Sequence, residues 1–197
     1  MPAVAKLVPE RTIFFVCDIQ SRFRPAIYGF EEVVLTASRM LKVAKVLEIP
    51  VLATEQNPKA LGPTVPELDL ASLGPLFLGA PPKTLFSMVI PEVKKHLQER
   101  NIKSVVIFGI ESHVCVLQST LDLLEEGYDV HVIADGVSSC NKEEIPIALE
   151  RLRQAGAQIT TSESASFQLM AQFPYILWDY QRREGQDKEV SADFSTG

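Results

Sequence analysis

The chain reads as an α/β protein, a three-layer α/β/α sandwich about a central, mainly parallel sheet of six strands. Two observations predict this. Strand-like and helix-like segments alternate along its 197 residues, the pattern of parallel strands joined by helical crossovers. The strand-like segments around Phe14 and Val106 are near-continuous apolar runs, as strands buried on both faces are. At this length, with 46% hydrophobic residues, one core fits better than two. Residues 1–180 are therefore read as one domain and the polar, charged stretch 181–197 as a tail.

The first strand runs from Thr12 to Gln20 and delivers Asp18 at its C-terminal end. Val33, Ala37, Met40, Ala44 and Leu47 recur at steps of four and three, which makes Glu31 to Glu48 a helix with one buried face. Pro50 to Glu55 is the second strand. Asn57 to Gly79 carries Pro58, Pro63, Pro66 and Pro75, a composition that breaks regular structure and suggests an excursion over the sheet that walls a pocket. The Pro/Gly-rich loop Leu78-Gly79-Ala80-Pro81-Pro82 then leads to Lys83, another strand end.

Pro91 suits the first position of a helix through Asn101. Ser104 to Ile110 is the most hydrophobic strand and hence central. Val114, Leu117, Leu121 and Leu124 form the stripe of the next helix, which Gly127 ends. Asp129 to Val137 is the fifth strand. Ile145, Ala148, Leu149 and Leu152 mark a helix ending at Gly156, and Gln158 to Thr161 is a short sixth strand. Ser164 to Gln172 reads as helical, with Ile176, Leu177 and Trp178 docking back on the body.

With 19 basic against 25 acidic residues the net charge is −6, and no basic cluster is interleaved with aromatics, so nucleic acid is not an expected partner. Three cysteines occur: Cys17 in a strand, Cys115 at a helix start and Cys140 in a loop. Their number is odd and their spacing is not that of metal ligands, which fits a reducing compartment. Met1 to Arg11 leave no room for a signal peptide, and no apolar run reaches membrane-spanning length. No membrane partner is expected, and the location is read as cytoplasmic, with mitochondrial association not distinguished from it. A homo-oligomer is expected because the apolar Phe77, Leu78, Phe86, Met88 and Trp178 exceed what a small surface leaves exposed.

The chemistry centres on Val105-Val106-Ile107-Phe108-Gly109-Ile110-Glu111-Ser112-His113-Val114-Cys115-Val116, a strand that breaks at glycine and restarts as a helix with a thiol in its first turn. Unpaired N–H groups and the positive dipole end there favour a thiolate, although most free cysteines are small apolar core residues. Taken singly, Asp18 could be a turn former and Lys83 a solvated charge. Asp18, Lys83 and Cys115 in this order, within Asp-Ile-Gln, Lys-Thr-Leu-Phe-Ser and Gly-Ile-Glu-Ser-His-Val-Cys-Val, resemble the isochorismatase-like cysteine hydrolases. The resemblance covers roughly Arg11 to Ala171. Phe14 to Arg24, Thr54 to Lys59 and Leu149 to Ala157 are most similar to the isochorismatase domain-containing group.

That resemblance implies a Rossmann-like fold and a catalytic triad: Cys115 as nucleophile, Asp18 as general base and Lys83 as the partner that keeps the carboxylate ionised. It also implies a cis peptide between Ile110 and Glu111 that turns the Glu111 N–H toward the pocket, forming an oxyanion hole with the Cys115 N–H. Gln20, Phe23, Gln56, Phe86 and His113 are candidate substrate-binding residues; His96 and His131 have ordinary structural roles. Nicotinamidases of this superfamily carry Asp-x-His after the second strand, where this chain reads Glu55-Gln56-Asn57, a poor transition-metal donor set. No metal and no other cofactor are therefore expected. The reading is hydrolysis of a C–N bond in a small-molecule amide or carbamoyl compound through a thioester. A non-enzymatic interaction protein and, third, a nuclease are the alternatives.

Overall fold

In a computed structural model, which describes residues 5–170, the central element is β1 (Thr12–Cys17), all six residues buried. Parallel to it lie β2 (Val51–Gln56), the two-residue β3 (Pro82–Lys83), β4 (Ser104–Ile110), β5 (Asp129–Ser138) and β6 (Gln158–Thr160). The strand order is β3-β2-β1-β4-β5-β6. The chain thus winds one way from β1 to β3 and the other from β4 to β6, so β1 and β4 flank the point where ligands bind in doubly wound sheets.

Alternate residues of each strand feed two apolar layers. Phe14 and Val16 join α1 (Phe30–Leu47) and α6 (Ser162–Leu169) on one face. Ile13, Phe15 and Cys17 join α3 (Pro91–Glu99), α4 (Cys115–Glu125) and α5 (Glu144–Ala155) on the other. The Phe14 and Phe108 rings meet edge to face at 6.1 Å, and α5 ends at Gly156 in the left-handed conformation that glycine favours (φ 108°).

Several expectations need correcting. The first strand stops at Cys17, because Asp18 turns into a left-handed conformation (φ 50°) that strand pairing does not allow. The excursion after β2 is more ordered than its prolines suggest: Pro58, at the first position of the one-turn α2 (Pro58–Leu61), and Pro66 start helical turns, and 3-10 segments follow at Pro66–Leu68 and Leu70–Leu76. Its Val65, Leu68 and Leu73 are buried in the α1-side layer. Of the apolar residues expected at the surface that the structure describes, Met88 is fully buried, Phe77 and Leu78 pack partly against the core, and Phe86 is exposed, at 49%. The helix expected through Gln172, docking of Ile176, Leu177 and Trp178, and the tail lie at least partly outside the described residues. No described helix is long and apolar enough to cross a membrane.

Gly109 explains the break in β4. It pairs with Cys17 at φ 127°, and a Cβ there would sit 2.1 Å from the Cys17 carbonyl oxygen. Gly109→Ala must therefore both strain the backbone and push β1 and β4 apart, at an expected cost above about 3 kcal/mol. A urea midpoint near the wild-type value would refute this.

His131 in β5 is buried, its Nε2 has no hydrogen-bond partner among the described residues, and burial lowers its pKa against a smaller opposing pull from Asp129. Below the ordinary histidine value the unfolded chain takes up a proton that the folded one refuses. Stability is therefore expected to fall as pH drops through and below about 6.5, by at most about 1.4 kcal/mol per pH unit for this one proton. Urea unfolding of His131→Gln between pH 7 and 5 should show a shallower slope than wild type; equal slopes would exclude His131 as the source.

Candidate active site

Asp18, immediately after β1, is fully buried, and its carboxylate is saturated from several sides. Oδ2 accepts from the Lys83 ammonium at 2.6 Å, with both side chains no more than 1% exposed. Oδ1 accepts from the Thr54 hydroxyl at 2.8 Å, because Thr54 stands opposite Cys17 in the β1–β2 register. Lys83, on the edge strand β3, also donates to Gln56 Oε1 (2.8 Å) and to the carbonyls of Leu85 (3.2 Å) and Phe86 (2.9 Å). An ion pair this dry persists only when its remaining polar atoms are paired, and here they are.

Cys115 is the first residue of α4, 5% exposed, and no side chain caps that helix. The partial positive charge of the helix N-terminus therefore lies at this turn. The preceding turn is held by the Glu111 carbonyl, which accepts from Val114 N–H and Val116 N–H (both 3.1 Å). The Ile110–Glu111 peptide is cis. Cys17 joins the two halves of the site: its thiol lies 3.9 Å from Asp18 Oδ2, and it shares a buried cluster with Cys115. Burial, the contact with Cys115 and the neighbouring Asp18 carboxylate push the Cys17 thiol well above its ordinary value. Cys17 therefore stays protonated.

The chain matches the family model "Isochorismatase domain" over residues 12–164. The chain belongs to the isochorismatase family. Among curated isochorismatase relatives, it is 48% identical over 175 residues to isochorismatase family protein 1A of Dictyostelium discoideum, covering 86% of this chain and 83% of that one. It is 47% identical over 169 residues to isochorismatase domain-containing protein 1 of Danio rerio, covering 85% of this chain but 58% of the longer relative. Among solved structures, the MAR1 ribonuclease of Caenorhabditis elegans superposes with a TM-score of 0.82 at 38% identity, covering 98% and 96% of the two chains. Members of the isochorismatase superfamily are hydrolases, and the six-stranded parallel sheet with flanking helices is the fold they share.

Within this isochorismatase domain the expected binding residues divide. Gln20 is fully buried; it donates to the carbonyls of Gln56 (3.0 Å) and Gly62 (2.7 Å) and accepts from Gln56 N–H (2.7 Å), so it ties the excursion to β2 and cannot meet a substrate. Gln56 spends its amide on Lys83 and on the Thr84 carbonyl (3.1 Å), which positions the lysine. Phe23 packs partly buried against the α1-side layer. Phe86 is exposed beside Lys83, and His113 is partly buried with Nδ1 2.9 Å from Ser139 Oγ. Thr54 and Cys17 were not anticipated as site residues; their places depend on strand register, for which the sequence alone carries no signal. Glu55, at the position corresponding to the nicotinamidase metal motif, accepts from the Thr64 N–H (2.7 Å) and hydroxyl (2.9 Å).

Proposed function

We propose that the protein is a cysteine hydrolase that cleaves a C–N bond of a small amide or carbamoyl compound. The observation that carries this reading is the dry Asp18–Lys83 pair at the switch point of the sheet, joined through Cys17 to a cysteine at an uncapped helix start. Asp18 accepts the Cys115 proton as sulfur attacks the carbonyl carbon, and negative charge developing on sulfur meets the positive end of α4. The N–H groups of Glu111 and Cys115 receive the tetrahedral oxyanion. Asp18 then protonates the departing nitrogen, leaving a thioester on Cys115 and a free amine or ammonia. Water attacks the thioester, giving its proton to Asp18, which returns it to the thiol as the acid leaves. Lys83 balances the carboxylate throughout, and Phe86 and His113 line the approach.

A panel of primary amides and ureido compounds, followed by ammonia release and by intact mass, tests the reading. Turnover with a transient acyl adduct on Cys115 is expected; no adduct and no turnover from any member would overturn it. The solved C. elegans relative described as a ribonuclease favours one second reading, phosphodiester cleavage, so the panel includes single-stranded RNA. RNA cleavage that survives Cys115→Ala would replace the amidase reading. Self-association belongs to the proposal, since Leu85 and Phe86, 63% and 49% exposed, stand beside Lys83. A single monomer boundary in sedimentation at micromolar concentration would contradict it.

A further inference from the structure

Beside the nucleophile's turn, three side chains of different donor type come together. Glu111, a ring nitrogen of His113 and the Cys140 sulfur all lie within 4.8 Å of one another; Glu111 and His113 are partly buried and Cys140 exposed. Their sequence spacing hides this, because Cys140 is 29 residues beyond Glu111. Parallel pairing brings them together: Ile110 stands opposite Ser138, and Ser112 N–H donates to the Ser138 carbonyl at 2.7 Å. The mechanism uses none of these three side chains as a proton carrier or nucleophile.

We propose that Glu111, His113 and Cys140 form a binding site for a late first-row divalent cation such as zinc. The donor set selects the ion class. One thiolate, one imidazole and one carboxylate suit zinc or cobalt, whereas calcium and magnesium seek six or more oxygen ligands or near-octahedral oxygen geometry. A thiolate and a carboxylate with a neutral imidazole also cancel the charge of a dication. At ordinary zinc bond lengths, tetrahedral ligand atoms stand about 3.4 to 3.8 Å apart, so separations of up to 4.8 Å close with small side-chain rotations. Three protein ligands leave a fourth position for water or a ligand.

The site is also supported from outside, as metal ligands are. Ser139 Oγ contacts His113 Nδ1 at 2.9 Å and Ser112 Oγ at 2.5 Å, which holds the ring in place. Cys140 N–H donates to Glu111 Oε2 at 2.7 Å, which ties the Cys140 backbone to that carboxylate. The loop that carries Cys140 is anchored to the start of α1 by Tyr28, whose N–H donates to the Ser139 carbonyl (3.0 Å) and whose own carbonyl accepts from the Ser138 hydroxyl. Three ligands on two clamped turns lose little freedom on binding. The expected lack of a metal concerned residues 55–57 and the spacing of the cysteines, neither of which reports on this cluster.

Titrating the metal-free protein with cobalt(II) at neutral pH tests the site. One equivalent is expected to raise a thiolate-to-cobalt charge-transfer band in the near ultraviolet and intense visible bands of a four-coordinate ion, both bleached by zinc. Cys140→Ser should abolish the charge-transfer band, and His113→Gln should weaken binding at least tenfold; Cys140 is exposed, so its substitution leaves the fold in place. Absence of the band in wild type overturns the proposal. So does a band that persists in Cys140→Ser and disappears in Cys115→Ala, which would put the ion on the nucleophile. These readouts do not depend on turnover, so failure of the amide panel leaves them standing.

Discussion

Cys115→Ala is expected to lower turnover by at least about 10³-fold, on the scale seen when a covalent nucleophile is removed, without unfolding the protein. The substitution deletes one sulfur at the start of α4, and alanine is the best helix former, so the helix and its N-terminal N–H groups remain. No other cysteine can take over. Cys17 is fully buried and held protonated by its burial, by Cys115 and by Asp18. Cys140 is exposed and lies in a loop rather than at a helix start, and the neighbouring Glu111 carboxylate raises its thiol above the ordinary value. The measurement is steady-state ammonia release together with intact mass after rapid quench. Wild type should show an acyl adduct that Cys115→Ala lacks, while Cys17→Ala should keep the adduct. Undiminished turnover in Cys115→Ala would exclude thioester chemistry at this site.

The fold was legible where apolar runs are long. The strands around Phe14 and Val106 announce burial on both faces by composition alone, and the α1 stripe from Val33 to Leu47 is a helical period. The strand β3, two residues long, could be inferred only from the motif around Lys83, since two residues carry no periodicity. In the excursion after β2, proline content misled: proline breaks a helix interior but is suited to the first turn, and Pro58 and Pro66 begin turns, the second of which sends Leu68 into the core.

The site divides in the same way. Asp18 and Cys115 sit at the ends of strongly apolar strands, so their placement follows from topology once the strands are recognised. Gln20 looked like a pocket amide because it follows Asp18, yet two residues past a left-handed turn its side chain points back into backbone carbonyls. Thr54 was missed because its role depends on which β2 residue stands opposite Cys17, a matter of register that a single sequence does not state. The Glu111, His113 and Cys140 cluster is hidden for the same reason.

The Asp18–Lys83 pair is where catalysis and stability can be separated. Removing one member of a buried ion pair typically costs about 3 to 5 kcal/mol, because the survivor is left charged and dry, whereas replacing both by apolar or neutral groups costs far less. The two single losses are expected to differ. After Asp18→Asn the ammonium still has Gln56 Oε1 and the Leu85 and Phe86 carbonyls, so the cost should fall at the low end. After Lys83→Met the carboxylate keeps, among the described residues, the Thr54 hydroxyl and a distant Cys17 thiol at 3.9 Å, and the loop bearing Leu85 and Phe86 loses its anchor. Lys83→Met should therefore be the more destabilising, and Asp18→Asn/Lys83→Met should be more stable than either single variant predicts by addition. Turnover should be lost in all three, since none retains a carboxylate held opposite an ammonium to take the Cys115 proton. Urea unfolding of the four proteins gives the coupling directly. Additive losses, or a double variant that recovers activity with its stability, would show the pair to be a packing feature and remove Asp18 from the mechanism.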